Sequence, residues 1–308
     1  MQVQANQLTF EVDIQGPDNG VPVVMVMGLG GQLTYWPHSL IATLTRSGYR
    51  VITFDNRDIG LSTQLHALGT PNMAWQLLKA KCGLRVSSCY TLQDMAQDTL
   101  ALMDGLKIPR AHILGISMGG MIAQRIAASA PERTISLTSI MSSSGAPGLP
   151  GPRPDVTRAL LTPPKSQRED DVVQHAVQFF QRIGSPGYEQ DWEAFAALAR
   201  ANFRRAPNSQ GAVRQLWAII ADRDRHRTLS RITSPTLVIH GDADPLVPLA
   251  CGHDTAKRIP HAHWEVIPGM GHDLPEGAIA LLVDVLKTFW GCAESTSQPG
   301  ETMPHRCA

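Results

Sequence analysis

Residues 111–120 read Ala111-His112-Ile113-Leu114-Gly115-Ile116-Ser117-Met118-Gly119-Gly120. Residues 111–116 form a short strand pattern, and 118–130 a helix pattern that Pro131 closes. Between them lies G-x-S-x-G, with Ser117 at its centre. The spacing has a steric reason. A sharp strand-to-helix turn exposes the serine hydroxyl and brings neighbouring backbones close, so the flanking positions are glycine. The helix N-terminus beneath the hydroxyl favours negative charge that develops there. The bland alternative is a glycine-rich helix start with an incidental serine, and the strand and helix on either side weigh against it.

Strand and helix signals alternate outward from this turn. Upstream, 21–27 is a short apolar run ending in glycines, the pattern of a strand buried on both faces. Residues 38–47 read as a helix stopped at Gly48, and 49–54 as a strand ending at Asp55. Residues 91–106 read as a helix with Thr91 as N-cap and Asp94 in the capping-box position. Downstream, 134–141 is a strand. Residues 142–164 are rich in Ser, Gly and Pro, and 167–227 read as helical without a convincing strand. Alternation returns with strands at 236–240 and 264–267 and helices at 250–259 and 278–289. The prediction is an α/β fold, a mostly parallel central sheet flanked by helices on both faces. Residues 1–141 and 231–293 make its core, 142–230 an inserted helical cap, and 294–308 a polar tail expected to be disordered.

Composition narrows the function. Lysine plus arginine and aspartate plus glutamate number 27 each among 308 residues. That balance gives no reason to expect nucleic acid or an anionic membrane as partner. The longest apolar run, 21–29, is too short to span a bilayer, and residues 1–15 lack the basic start of a signal peptide. Cys82, Cys89, Cys251, Cys292 and Cys307 are odd in number and form no CxxC pair, so they are expected to be reduced thiols in a cytoplasmic protein. No cluster has metal-ligand spacing and no dinucleotide or phosphate-loop glycine pattern occurs, so neither metal nor cofactor is expected.

The chain resembles the α/β-hydrolase family over nearly its whole length. Within it, the chain is similar to small bacterial esterases related to aclacinomycin methylesterase. Val26-Met27-Gly28-Leu29-Gly30 and Asp55-Asn56-Arg57-Asp58-Ile59-Gly60-Leu61-Ser62 carry that likeness. It implies a serine hydrolase in which an acid and then a histidine follow Ser117 along the chain. The turn Gly241-Asp242-Ala243-Asp244-Pro245-Leu246-Val247-Pro248 carries the acid, and the family register G-x-x-D-x-x-V-P selects Asp244. Asp242 is the rival, with a turn carboxylate capping backbone N–H groups as its bland reading.

Eleven histidines are present, so position must choose among them. His272 lies in a glycine-containing loop between the last strand and the last helix. His253, His261 and His263 read as surface residues and His240 as packed. The resemblance also implies an oxyanion hole from the backbone N–H groups of Met118 and Leu29. Met27 stands where the family usually has histidine, but the donor is backbone, so the hole does not depend on that side chain. The charged loop 55–58 reads as a salt-bridged structural loop rather than a second catalytic dyad. The cap aromatics read mainly as the cap's own core, with Trp217 and Phe180 as candidates for lining an acyl pocket.

The expected function is hydrolysis of a small-molecule carboxylic ester through an acyl-enzyme. The alternatives are lactone opening, perhydrolysis or C–C bond hydrolysis by the same three residues, and, in a different class, an idle fold used for binding.

Overall fold

The computed structural model describes residues 1–72, 75–76, 78–79, 82, 84, 86–207 and 209–296. Its strands are β1 (Gln2–Ala5), β2 (Leu8–Gln15), β3 (Val21–Val26), β4 (Tyr49–Phe54), β5 (Ala111–Ile116), β6 (Thr134–Ile140), β7 (Thr236–Gly241) and β8 (His263–Ile267). They form one sheet in the order β1-β2-β4-β3-β5-β6-β7-β8. The pairings β1–β2 and β2–β4 are antiparallel, and the five others are parallel.

Helices α1 (His38–Arg46), α2 (Leu92–Gly105), α3 (Met118–Ser129), α8 (Leu249–Arg258) and α9 (Glu276–Thr296) accompany the sheet. Helices α4 (Pro154–Leu161), α5 (Glu169–Ile183), α6 (Trp192–Arg205) and α7 (Ser209–Ala221) fall between β6 and β7.

The strand sequences are apolar at consecutive positions because both faces are covered. Val24 and Val26 pack with Leu92, Met95, Ile122 and Ile126 of α2 and α3. Val23 and Met25, one residue out of phase, pack with Leu40 and Leu44 of α1 and Leu282 and Leu286 of α9. Alternate residues of a strand face opposite sides, so one short run serves two cores. Thr91 caps α2 in a reciprocal box with Asp94, as its spacing predicts.

The differences from expectation are local. β1 and β2 were not anticipated, and α4 lies inside the stretch read as linker. α9 extends through residues 294–296 of the expected tail, and 297–308 lie outside the described residues. Cys82, Cys89 and Cys251 are free, but Cys292 is disulfide-bonded rather than reduced. Cys307 lies outside the described residues. Among the described residues no helix is long and apolar enough to cross a membrane.

Candidate functional site

β4 lies on one side of β3 and β5 on the other, so the chain reverses its direction of sheet growth between β3 and β5. The carboxyl ends of parallel strands at such a reversal form a crevice where ligands bind. Ser117 follows β5 and Gly28 follows β3, so both stand at that crevice.

Ser117 has φ 53° and ψ −119°, a backbone conformation that costs on the order of 1–3 kcal/mol for a residue with a side chain. Neighbouring bonds hold it there. Its N–H donates to Ile140 O at 2.9 Å, and Ser142 Oγ donates to Ser117 O at 2.8 Å. The glycines are needed sterically, because a β-carbon on Gly115 would collide with Gly119 O, and one on Gly119 with Val26 O. Gly28 lies directly against the serine, and a β-carbon there would stand 3.3 Å from Ser117 Cβ.

The structure brings the predicted acid and histidine to this hydroxyl. His272 Nε2 is 2.9 Å from Ser117 Oγ, and His272 Nδ1 is 2.6 Å from Asp244 Oδ2. The other oxygen of Asp244 accepts from Leu246 N–H at 2.9 Å and Val247 N–H at 2.8 Å. Burial pushes Asp244 up. Attraction to His272 and hydrogen bonds from His240, His272 and Val247 outweigh it and hold the carboxyl well below the usual carboxylate range. An ionised carboxylate only accepts, so it fixes the proton of His272 on Nδ1 and leaves Nε2 free to accept from Ser117.

Asp242 is exposed and accepts from Gly269 N–H at 2.6 Å, which steadies the loop that carries His272. That is the capping role weighed against it. His240 is fully buried, with Nε2 2.7 Å from Val247 O, and His253 and His261 are exposed.

Met118 follows Ser117 in the chain, and Leu29 follows Gly28, which lies against the serine. Among the described residues neither the Leu29 nor the Met118 N–H has a protein acceptor. Next to Leu29, Gly30 N–H donates to Gln215 Oε1 at 2.9 Å. Asn56 Nδ2 donates to Met27 O at 3.0 Å and ties down the end of β3.

The charged loop is a buried ionic hub. Arg57 donates to both oxygens of Asp98 at 2.5 and 2.7 Å. Asp55 accepts from Leu33 N–H, Leu61 N–H and Arg205. Asp58 pairs with Arg214 at 2.8 and 2.7 Å, and neither side chain is exposed. Arg205 and Arg214 come from α6 and α7, so this loop anchors the inserted helices to the sheet.

The profile of the alpha/beta hydrolase fold family matches residues 21–277. The chain belongs to that family. Rhodomycin D methylesterase from Streptomyces peucetius is 26% identical over 290 residues, covering 88% of this chain and 91% of the relative. The 3-oxoadipate enol-lactonase 1 of Acinetobacter baylyi is 26% identical over 274 residues, covering 84% and 85%. Among solved structures, the enol-lactonase from Burkholderia xenovorans superposes with TM-score 0.72 at 23% identity, covering 94% of this chain and all of that one, a likeness of fold.

In this α/β-hydrolase the inserted helices also hold the histidine loop. His272 N–H donates to Ile183 O at 2.7 Å, and Gly271 N–H to Ser185 Oγ at 2.8 Å. Asp273 accepts from Ser185 and from Gln190, the latter at 2.7 Å. Phe180 stacks parallel to Tyr35 at 6.4 Å and lies 4.7 Å from Phe195, so it packs α5 onto α6 and onto the loop after β3. Trp217 is fully buried. Gln215, Ser185 and Asp273 escaped the sequence reading because each acts through a partner more than 80 residues away. Among the described residues no group of three His, Cys, Asp or Glu side chains is placed to hold a metal ion.

Proposed function

We infer that this α/β-hydrolase cleaves carboxylic esters through an acyl-enzyme, with Ser117 as nucleophile, His272 as base and then acid, and Asp244 as the group that orients it. The observation that carries this is the hydrogen-bonded chain from Ser117 Oγ through both nitrogens of His272 to Asp244 Oδ2, at 2.9 and 2.6 Å. His272 Nε2 takes the proton as Ser117 Oγ bonds to the carbonyl carbon. The negative oxygen of the tetrahedral intermediate rests on the N–H groups of Leu29 and Met118. A single donor of this kind contributes about 3–4 kcal/mol. Collapse breaks the bond to the alcohol, which leaves with the proton from His272. Water then attacks the acyl carbon, His272 takes its proton, and the acid departs as Ser117 regains a hydrogen. The relative named for methyl-ester cleavage supports an ester substrate.

In this reading residues 142–230 act as a cap over the crevice, sheltering apolar substrate from water. Lactone opening is the second reading, favoured by the enol-lactonase relative. The same three residues serve it, since a lactone is a cyclic ester.

The test is a panel of p-nitrophenyl esters of rising chain length, lactones, and methyl esters of polycyclic acids, with wild type beside Ser117→Ala. Turnover of esters by wild type, and a folded variant without turnover, are expected. A fluorophosphonate should label wild type only. Labelling that persists in the variant means the nucleophile lies elsewhere.

A further inference from the structure

Residues 28–31 form a tight turn in which Gly31 N–H donates to Gly28 O at 3.2 Å. Gly30, third in the turn, has φ +69°, the sign that a type II turn demands at that place. Each peptide of this turn has a defined direction. The first carries Gly28 C=O, drawn inward by the turn bond, so its Leu29 N–H points to the opposite side. The second carries Gly30 N–H, and nothing within the turn holds it. That group is held from outside, by Gln215 Oε1 of α7 at 2.9 Å.

Gln215 is fully buried and uses both ends of its amide, with Nε2 donating to Arg57 O at 3.0 Å. Its helix has no slack at this point. One residue back, Arg214 is locked to Asp58. A β-carbon on Gly211 would collide with Asp58 O, and Ala212 Cβ lies 3.3 Å from where a β-carbon on Gly30 would stand. Arg57 is fixed in turn by Asp98. The turn beside Ser117 is therefore bolted, through one amide, to a helix that arrives 185 residues later.

We propose that Gln215 is a positioning residue for the oxyanion hole, fixing the 28–31 turn so that Leu29 N–H meets the developing charge on the substrate carbonyl oxygen. This rests on the reading of Leu29 and Ser117 given under the proposed function. The inserted segment then contributes to chemical competence as well as to enclosure of substrate. Gln215 touches neither substrate nor nucleophile. Its effect belongs to the transition state, where the oxygen is charged, more than to the bound ester. Misplacing a donor by a fraction of an ångström costs less than deleting it, so a fall in kcat of roughly 10–100-fold is expected.

Gln215→Met keeps length and volume and removes both hydrogen bonds. Gln215→Asn keeps a buried amide but is too short to span them, and it is read if the methionine variant does not fold. Active sites are counted by fluorophosphonate titration, and kcat is expressed per labelled site, which removes any loss due to misfolded protein. The expected result is the fall in kcat per labelled site with KM within about threefold of wild type. Affinity for a boronic acid, which forms a tetrahedral adduct with the serine, should fall by a similar factor. A kcat per labelled site within about twofold of wild type, or a loss confined to KM or to the labelled fraction, overturns the proposal. Ser117→Ala, assayed in parallel, separates the two claims. If it remains active, the reading of the site fails. If it is inactive while both Gln215 variants match wild type, only the role of Gln215 fails.

Discussion

Replacing Arg214 by leucine removes the cation from an ion pair in which neither side chain is exposed. The guanidinium makes two bonds to Asp58 and a third to Gly69 O at 3.1 Å. After the change Leu65 N–H still reaches Asp58 Oδ1 at 2.6 Å, but the carboxylate has lost its countercharge. Breaking a buried pair from one side costs about 3–5 kcal/mol, a large part of a total stability of about 5–15 kcal/mol. Urea unfolding at neutral pH measures it. Adding Asp58→Asn, which removes the stranded charge and tolerates the positive φ at that residue, should return about 2 kcal/mol.

The pH dependence has a definite sign. Burial pushes Asp58 up, and the bonds from Arg214 and Leu65 outweigh it, so its folded-state value is lowered. Its contribution is whole above the unfolded value of about 4 and is lost as pH falls through the lowered one. In Arg214→Leu burial is opposed far less, the carboxyl protonates more readily, and the gap to wild type narrows on acidification. A cost below about 1 kcal/mol, the range of exposed pairs, would refute the reasoning. So would a gap that stays constant as the pH is lowered.

Asp244→Asn should lower kcat by about 10⁴-fold, since the amide favours the wrong tautomer of His272, while Asp242→Asn stays within about tenfold. Steady-state kinetics on one ester decides between them, and the reverse order would move the acid by two residues. Phe180→Leu should lower the melting temperature and change kcat/KM by a similar factor for short and long esters, because Phe180 packs against Tyr35 and Phe195. A shift in chain-length preference would place Phe180 at the substrate instead. Exhaustive dialysis against EDTA should leave ester turnover unchanged, and loss restored by a divalent ion would overturn that.

What the sequence disclosed follows from how local each signal is. β5, the elbow and α3 lie within 20 consecutive residues, and Gly115 and Gly119 answer to clashes within that stretch and with β3, so the pattern is written where it acts. Asp244 and His272 are far from Ser117 in sequence but sit on turns directly after β7 and β8, which strand counting locates. β1 and β2 were missed although Phe10 and Val12 point inward at alternate positions. Thr9, Glu11 and Asp13 alternate with them, half-buried, and masked a strand in the antiparallel part of the sheet. α4 begins at Pro154, a residue suited to the first turn of a helix, inside a run whose prolines and glycines read as linker. The partners of Asp55, Asp58 and Gly30 were beyond reach for another reason. Arg205, Arg214 and Gln215 carry no motif, and only the docking of α6 and α7 on the sheet brings them near.

The same docking limits how this protein can be recombined. Exchanging residues 142–230 with those of a relative would appear to alter selectivity while leaving the machinery on the sheet untouched. Yet Asp55 and Asp58 stay behind on the recipient, and without Arg205 and Arg214 they become two charges stranded in the interior. Where the donor helices lack counterparts of these arginines, a functional chimaera therefore has to transplant the loop 55–62 together with the helices, as a single inheritable unit, or neutralise both aspartates in the same step.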